Sequence, residues 1–321
     1  MKPLDHYLSI IETALSQINY PKEPAGLYEP IAYTLQGGGK RLRPVLTLAA
    51  CDAFCGDPEK ALNQAMAVEM FHNFTLLHDD VMDRADMRRG RPTVHVRWDD
   101  RTAILSGDCM LTLATMMVMR GADDQSLRPA VNLLNRTAVE IYEGQQLDMD
   151  FETRRDVTLD DYLEMIRLKT SVLLGCACQM GAIMGGASEQ SQQAMYSFGE
   201  KLGLAFQLQD DYLDTFGDPI VFGKEIGGDI ANDKKTWLML TAVAEDQTGV
   251  MTRELSTPSD RQEKIEAVRE VYRQLNLEER CHQLIDVYVA QAVKELERAD
   301  LKLSAYEFFK AIAEKSRTRV N

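Results

Sequence analysis

The sequence predicts an all-α protein. Apolar residues recur at helical spacing through almost every segment, no run alternates as a series of strands would, and no low-complexity linker divides the chain. With 321 residues, 45% of them hydrophobic, there is material for a sizeable core. The organisation read from this is one domain of many helices over residues 1–321.

"MKPLDHYLSIIETAL" sets Asp5 and Glu12 among apolar residues, the pattern of an amphipathic helix and not of a signal peptide. Pro44 suits the first position of a later helix and Gly56 its end. Asp57-Pro58 reads as N-cap and first position of the next helix, which runs into "LLHDDVMD". The methionine-rich "MLTLATMMVMR" reads as a core helix. The longest uncharged run, residues 171–188, approaches the length of a membrane span but is rich in Gly and small residues, so a buried helix is predicted. Ser188 caps a further long helix that ends near Gly217.

The net charge of −14 argues against nucleic acid as the main partner, while leaving room for a local basic pocket. The six cysteines form no CxxC pair, and the five histidines do not gather beside them. Neither a zinc site nor a disulfide framework is expected, and reduced thiols in a cytoplasmic protein are.

"LLHDDVMD" (76–83) and "FQLQDDYLD" (206–214) both contain DDxxD, each placed in the last turns of a long helix. Residues i and i+4 share a helix face, so Asp79 points with Asp83, and Asp210 with Asp214. His72, Leu76, Asp79 and Asp83 make one stripe. Gly203, Gln207, Asp210 and Asp214 repeat its spacing. Carboxylates repel at this spacing, and the negative end of the helix dipole adds a penalty of roughly 0.3–1 kcal/mol per charge. A bound cation reverses both effects. Oxygen ligands without His or Cys suit a hard ion such as Mg²⁺. A solvated acidic helix end is the plain alternative, and two copies followed by Gly-containing turns favour the metal.

Basic residues accompany the aspartates. "GGGKRLRP" (37–44) sets Lys40, Arg41 and Arg43 beside three glycines. It is not a Walker A loop, because Thr34 falls where the first Gly would be and Arg41 replaces the Ser/Thr. Arg88 and Arg89 follow the first aspartates. Lys169-Thr170 lies inside the apolar "MIRLKTSVLL", where a lysine either snorkels or aims into a cavity. "GKEIGGDIANDKKTW" carries Lys224, Lys234 and Lys235 among glycines, as a mobile lid would.

Together, "GGGKRLRP", "HNFTLLHDDVMDRADMRRGRPTVH", "EGQQLDMDFE", "LKTSVLL", "GLAFQLQDDYLDTFGD" and "FGKEIGGDIANDKKT" resemble the trans-isoprenyl diphosphate (polyprenyl) synthases of the short-chain farnesyl/geranylgeranyl type. They stand in that family's order between residues 37 and 236. The resemblance implies the isoprenoid synthase fold, a bundle of antiparallel helices around a central cavity. It implies that Asp79 and Asp83 bind Mg²⁺ on one wall and Asp210 a further ion opposite, with Asp80, Asp211 and Asp214 supporting that shell. About three ions per site are implied with substrate bound, sharing substrate phosphates. Lys40, Arg43, His72 and Arg89 would hold isopentenyl diphosphate. Arg88, Lys169, Thr170, Gln207, Lys224 and Lys234 would hold the allylic diphosphate. The family usually has Gly where this chain has Asp233, which bears on the alignment of Lys234. The basic tail "KSRTRVN" would close over the homoallylic site. A homodimer with one site per subunit and no membrane span is implied as well.

The chemistry implied is ionisation of the allylic C–O bond, attack by the isopentenyl double bond on the cation, and loss of a proton to the departing diphosphate. Apolar helices would exclude water and wall the growing chain. Phe74 lies about 7.5 Å below Asp79 at helical rise. Beside Thr75, it resembles the floor of archaeal-type geranylgeranyl synthases, which points to a C20 product, with C15 the alternative. Phe74 is also well round the helix from Asp79, so an ordinary core role stays open. A terpene cyclase would carry a different second motif, and a non-catalytic partner subunit would have lost aspartates. Neither departure is present.

Overall fold

The computed structural model describes residues 1–217, 226–257 and 259–317, and its described residues are all-α apart from one short hairpin. α1 (Leu4–Ser16) buries Tyr7, Ile11 and Leu15, one stripe at intervals of four. α2 (Ala25–Leu35) follows. α3 (Leu42–Cys55) ends on Gly56 at φ 76°, as the sequence predicts. It begins two residues before Pro44, behind Arg41 at φ 47°. Asp57 accepts the Glu59 N–H at 3.1 Å as a cap. The turn it opens, Pro58–Ala61, is 3₁₀, a frequent form at helix starts, and α4 (Leu62–Met82) takes over from it.

After α4 the chain makes β1 (Met87–Arg88) and β2 (Arg91–Pro92), an antiparallel pair that the sequence reading missed. Two-residue strands are too short for a period-two signal. The turn between them has Arg89 at φ 52° and Gly90 at φ 72°, the handedness that matches strand twist. α5 (Val94–Arg97) leads to α6 (Asp100–Met119), capped by Asp99. The methionine-rich segment lies on α6, and the expectation of a core helix holds for one face only. Met110, Met117 and Val118 are buried, while Leu105, Met116 and Met119 are exposed. α6 is long and apolar enough to cross a membrane by length and composition.

α7 (Leu127–Thr153) precedes α8 (Leu159–Ile166), which opens on a Thr158–Asp161 capping box. One π turn, Arg167–Ser171, leads into α9 (Val172–Met184), whose residues 172–178 are all buried, as the uncharged run predicts. α10 (Glu189–Phe216) starts behind Ser188, which accepts the Ser191 N–H at 3.2 Å. The described remainder includes α11 (Gly228–Ala231), α12 (Trp237–Glu245), α13 (Val250–Ser256), α14 (Arg261–Gln274), α15 (Leu277–Leu296) and α16 (Leu303–Arg317).

The chain divides into two compact units. The first holds Met1–Thr137, Cys176–Tyr196 and Ala299–Ala305. In it α4 packs on α3 and α6, and Met70 and Phe71 of α4 are fully buried. The second holds Ala138–Gly175, Ser197–Arg298 and the residues from Tyr306 onward. In it α7 and α10 meet the π turn backbone to backbone. A Cβ on Gly144 would stand 2.3 Å from Lys169 N, and one on Gly203 would stand 2.5 Å from Ser171 Cα. Side chains at these two positions would push the helices apart.

Candidate active site

In the first unit the site residues lie on one stripe of α4 and on the two loops beside it. His72, Thr75, Leu76 and Asp79 are half-buried along that stripe. Phe74, about 140° round the helix from Asp79, turns instead into the core. Its ring meets Phe71 at 5.4 Å and His78 at 4.9 Å. Asp83 is exposed and caps α4, its N–H bonding the Asp79 carbonyl at 2.8 Å. Arg88, on the hairpin, donates from Nε to Asp80 Oδ1 at 2.6 Å and sets Nη2 3.6 Å from Asp79 Oδ2. Burial raises the Asp80 carboxyl above its ordinary value, and Arg88 offsets only part of that.

His72 is ringed by arginines. Arg43 Nη1 lies 3.3 Å from its Nε2. Burial, then Arg43, Arg89, Arg88 and Arg41, hold the imidazole well below its ordinary pKa. A neutral histidine among four guanidinium groups marks a place where an anion would be welcome. Arg89 donates to the Gly38 carbonyl. A Cβ on Gly39 would stand 2.9 Å from the Arg89 guanidinium carbon, so the glycine run makes room for an arginine. Lys40 is exposed at the end of that run. Arg41 departs from the basic set proposed from sequence. It is buried, and it bonds Glu12 at 2.9 Å, Glu69 at 2.6 Å and the Leu35 carbonyl at 2.5 Å. Its charge therefore fixes the loop. A cavity of about 40 Å³, room for a water or two, opens among Asn73, Leu77, Asp80, Arg88, Arg89 and Arg91.

In the second unit the aspartates at the end of α10 enter a wider network. The π turn interrupts the α-helical register and presents Lys169 and Thr170 together. Lys169 Nζ bonds Asp148 Oδ2 at 2.5 Å. Thr170 donates to Gln207 Oε1 at 3.0 Å, and Gln207 Nε2 donates to Asp211 Oδ1 at 3.1 Å. The buried Tyr162 hydroxyl also donates to Asp211. Lys234 Nζ sits 3.4 Å from Asp211 and 3.3 Å from Asp229. Asp214 Oδ2 accepts the Asp229 N–H at 2.8 Å. Asp210 is half-buried on the same turn. Lys224 and residues 318–321 of the basic tail lie outside the described residues.

Electrostatics show an excess of carboxylates here. Burial, with Asp211 and Asp214, pushes the Asp229 carboxyl up to about 7 despite Lys234. Burial alone would lower the Lys234 ammonium, yet Asp211, Asp229 and Asp148 outweigh it and the pKa rises. One lysine does not neutralise three carboxylates. Among the described residues no three His, Cys, Asp or Glu side chains already converge as an ion cage. The donor set at both helix ends is nonetheless all carboxylate oxygen, which fits a hard divalent cation that keeps waters and substrate oxygens in its shell.

Sequence reading overlooked Asp148, Tyr162, Asp229 and Glu69. Asp148 and Asp229 stood inside quoted motifs and were within reach of it. Tyr162 carried no signal, being an ordinary aromatic on the apolar face of α8.

An all-α chain with carboxylates at the ends of two long helices, each beside arginines or lysines, defines a class of proteins suited to phosphorylated ligands. Comparison with known proteins narrows that class. Residues 24–275 match the polyprenyl synthetase family. The chain is 39% identical to the short chain isoprenyl diphosphate synthase of Methanothermobacter thermautotrophicus, over 85% of each chain. It is 41% identical to the geranylgeranyl diphosphate synthase of Methanosarcina mazei, over 73% of this chain and 72% of that one. A crystal structure of a geranylgeranyl pyrophosphate synthase superposes with a TM-score of 0.95 at 43% identity, covering 100% of both. The chain belongs to the polyprenyl synthetase family.

Proposed function

We propose that this chain is a Mg²⁺-dependent prenyltransferase that condenses isopentenyl diphosphate with C5, C10 and C15 allylic diphosphates to a linear, all-trans C20 diphosphate. The observation that carries the proposal is the pairing of each DDxxD helix end with built-in cations, Arg88 at the first and Lys234 at the second. Relatives and a solved structure named as geranylgeranyl diphosphate synthases support the C20 length.

Asp79, Asp80 and Asp83 at one helix end, and Asp210 and Asp214 at the other, would hold Mg²⁺. When bound, Mg²⁺ neutralises the diphosphate and stabilises the charge that develops as the C–O bond breaks. Arg43, His72 and Arg89, with Lys40, bind the isopentenyl diphosphate. The neutral His72 offers a hydrogen bond without adding charge to an already crowded arginine cluster. Arg88, Lys169, Thr170, Gln207 and Lys234 orient the allylic diphosphate, and Lys224 joins them. Arg88 and Lys169 exchange Asp80 and Asp148 for phosphate oxygens as substrate enters. Thr75, on the half-buried stripe with Asp79, sets the depth available to the growing chain, and Phe74 backs it from the core.

The two units act as one synthase domain, and the protein works as a homodimer. The exposed apolar residues Ile104, Leu105, Met116 and Met119 of α6 support an interface there. The six free cysteines suit a reducing, cytoplasmic setting.

The test is to incubate the protein with Mg²⁺, isopentenyl diphosphate and each allylic diphosphate in turn, and to weigh the products. Linear C20 is expected from all three primers. A stop at C15 would leave the chemistry and overturn the length. No elongation by folded protein would overturn the synthase reading.

A further inference from the structure

Asp229 and Lys234 stand on a loop with little structure of its own, since α11 within it is only 4 residues long. What grips this loop is α14. Lys264 of α14 is buried, its side chain 5% exposed. Its ammonium lies 2.7 Å from Asp233 Oδ1 and donates to the Ala231 carbonyl at 3.3 Å. The next residue, Ile265, packs on Gly227, where a Cβ would come within 2.9 Å of Ile265 Cγ2. One turn on, Arg269 donates to the Thr215 carbonyl at 2.5 Å. α14 thus holds both the backbone beside Asp214 and the backbone beside Lys234.

Asp233 is the unusual member of this arrangement. It holds φ 55°, in the left-handed region that favours glycine. A glycine there would reach that conformation without strain, but it would also leave it freely. An aspartate whose carboxylate is fixed by a buried ammonium keeps the conformation and fixes the direction in which Lys234 leaves the turn. Lys234 depends on that direction, because its N–H bonds the Asp229 carbonyl at 3.0 Å while its Nζ spans Asp211 and Asp229. Rotation of the preceding peptide would separate these contacts.

We propose that Lys264 is a positioning residue for the allylic half of the reaction, acting through Asp233 to hold Lys234 against Asp211 and Asp229. This rests on the synthase reading above, in which Lys234 binds the allylic diphosphate. No substrate contact is assigned to Lys264.

The test is a cycle of Lys264→Met, Asp233→Gly and the double variant, with Lys264→Arg as the conservative control. Steady-state kinetics give KM separately for each substrate, calorimetry gives binding of inorganic diphosphate with Mg²⁺, and melting reports the fold. Lys264→Met is expected to raise the allylic KM and weaken diphosphate binding about tenfold, with the isopentenyl KM unchanged within about twofold, because Asp233 loses the ammonium that fixes its conformation and Lys234 is misplaced. Lys264→Arg should recover most of the loss. The double variant should lose less than the two single losses combined, because the residues touch. Should Lys264→Met not fold, Asp233→Gly carries the same allylic-selective expectation. A lower melting temperature with both KM values and diphosphate affinity unchanged would overturn the proposal, as would losses that simply add. If wild-type protein elongates no primer, the synthase reading falls by itself, and the diphosphate-binding cycle still decides whether Lys264 and Asp233 position Lys234.

Discussion

At the end of α4, Asp80 meets a guanidinium from eight residues further along the chain. At the end of α10, Asp211 meets a phenol from 49 residues away, an amide from four and an ammonium from 23. The two ends share the pattern DDxxD and differ in how their charge is held. Both carboxylates are buried, Asp80 at 6% and Asp211 at 3% exposed, and both cations are half-exposed, Arg88 at 35% and Lys234 at 39%. What differs is reach: the first end is held by a neighbour in sequence, the second by partners drawn from across its unit. A short-range partner forms whenever its helix and hairpin form. A long-range one needs the whole unit folded, and an aspartate so held supports the fold as well as the chemistry.

The largest effects are expected on activity. Asp79→Asn and Asp210→Asn should each lower kcat by about 10²–10³-fold, the scale on which a lost transition-state charge partner is felt. Their neighbours separate the two ends. Asp211→Asn should also destabilise, by about 1–3 kcal/mol, because it disturbs a buried carboxylate with three donors. Arg88→Ala strips the buried Asp80 of one donor where Asp211→Asn disturbs three, so it should reduce activity and cost less stability than Asp211→Asn, about 1 kcal/mol. Chemical denaturation of the two variants checks this, and equal losses would erase the distinction between the ends.

Tyr162→Phe sharpens the point with one atom. Removing the hydroxyl leaves Asp211 short of a buried donor and should cost about 1–3 kcal/mol, with no counterpart at the first end. Urea titration gives the number.

The pH dependence follows from Asp229, raised from 3.8 to about 7. Between these values the folded protein keeps a proton that the unfolded chain has released. The group therefore favours the fold below pH 3.8, and its contribution falls as pH rises through about 7. From about pH 5, above which the carboxylates held below their ordinary range are ionised in both states, to about 7, metal-free protein should lose melting temperature, and Asp229→Asn should flatten the slope. Added Mg²⁺ should do the same if it takes up the excess carboxylate charge, with protons released on binding.

The smallest effect is expected at Arg84, whose ion pair to Asp100 joins side chains 70% and 45% exposed. Arg84→Ala should change stability by less than about 0.5 kcal/mol, although it adjoins Asp83. A larger change would mean that the first end is less local than it looks.

The sequence by itself determined the helical class, the two aspartate stripes, their place in the last turns of long helices, the caps at Gly56, Asp57 and Ser188, and the basic runs beside them. All of these are written in residues within a few positions of one another, where helical spacing and capping chemistry act. Only the tertiary structure decided how the charges are spent. It turned Arg41 inward to Glu12 and Glu69, sent Phe74 into the core against His78, and set half of the methionine helix facing outward. It also joined Tyr162 to Asp211, Asp148 to Lys169 and Lys264 to Asp233. These pairings span tens of residues, and a buried charge takes whatever partner the packing of distant helices brings within about 3 Å. The π turn at Lys169 belongs with them: Gly144 and Gly203 could be read from the sequence as small residues, but that both lie against this turn depends on where α7 and α10 pack.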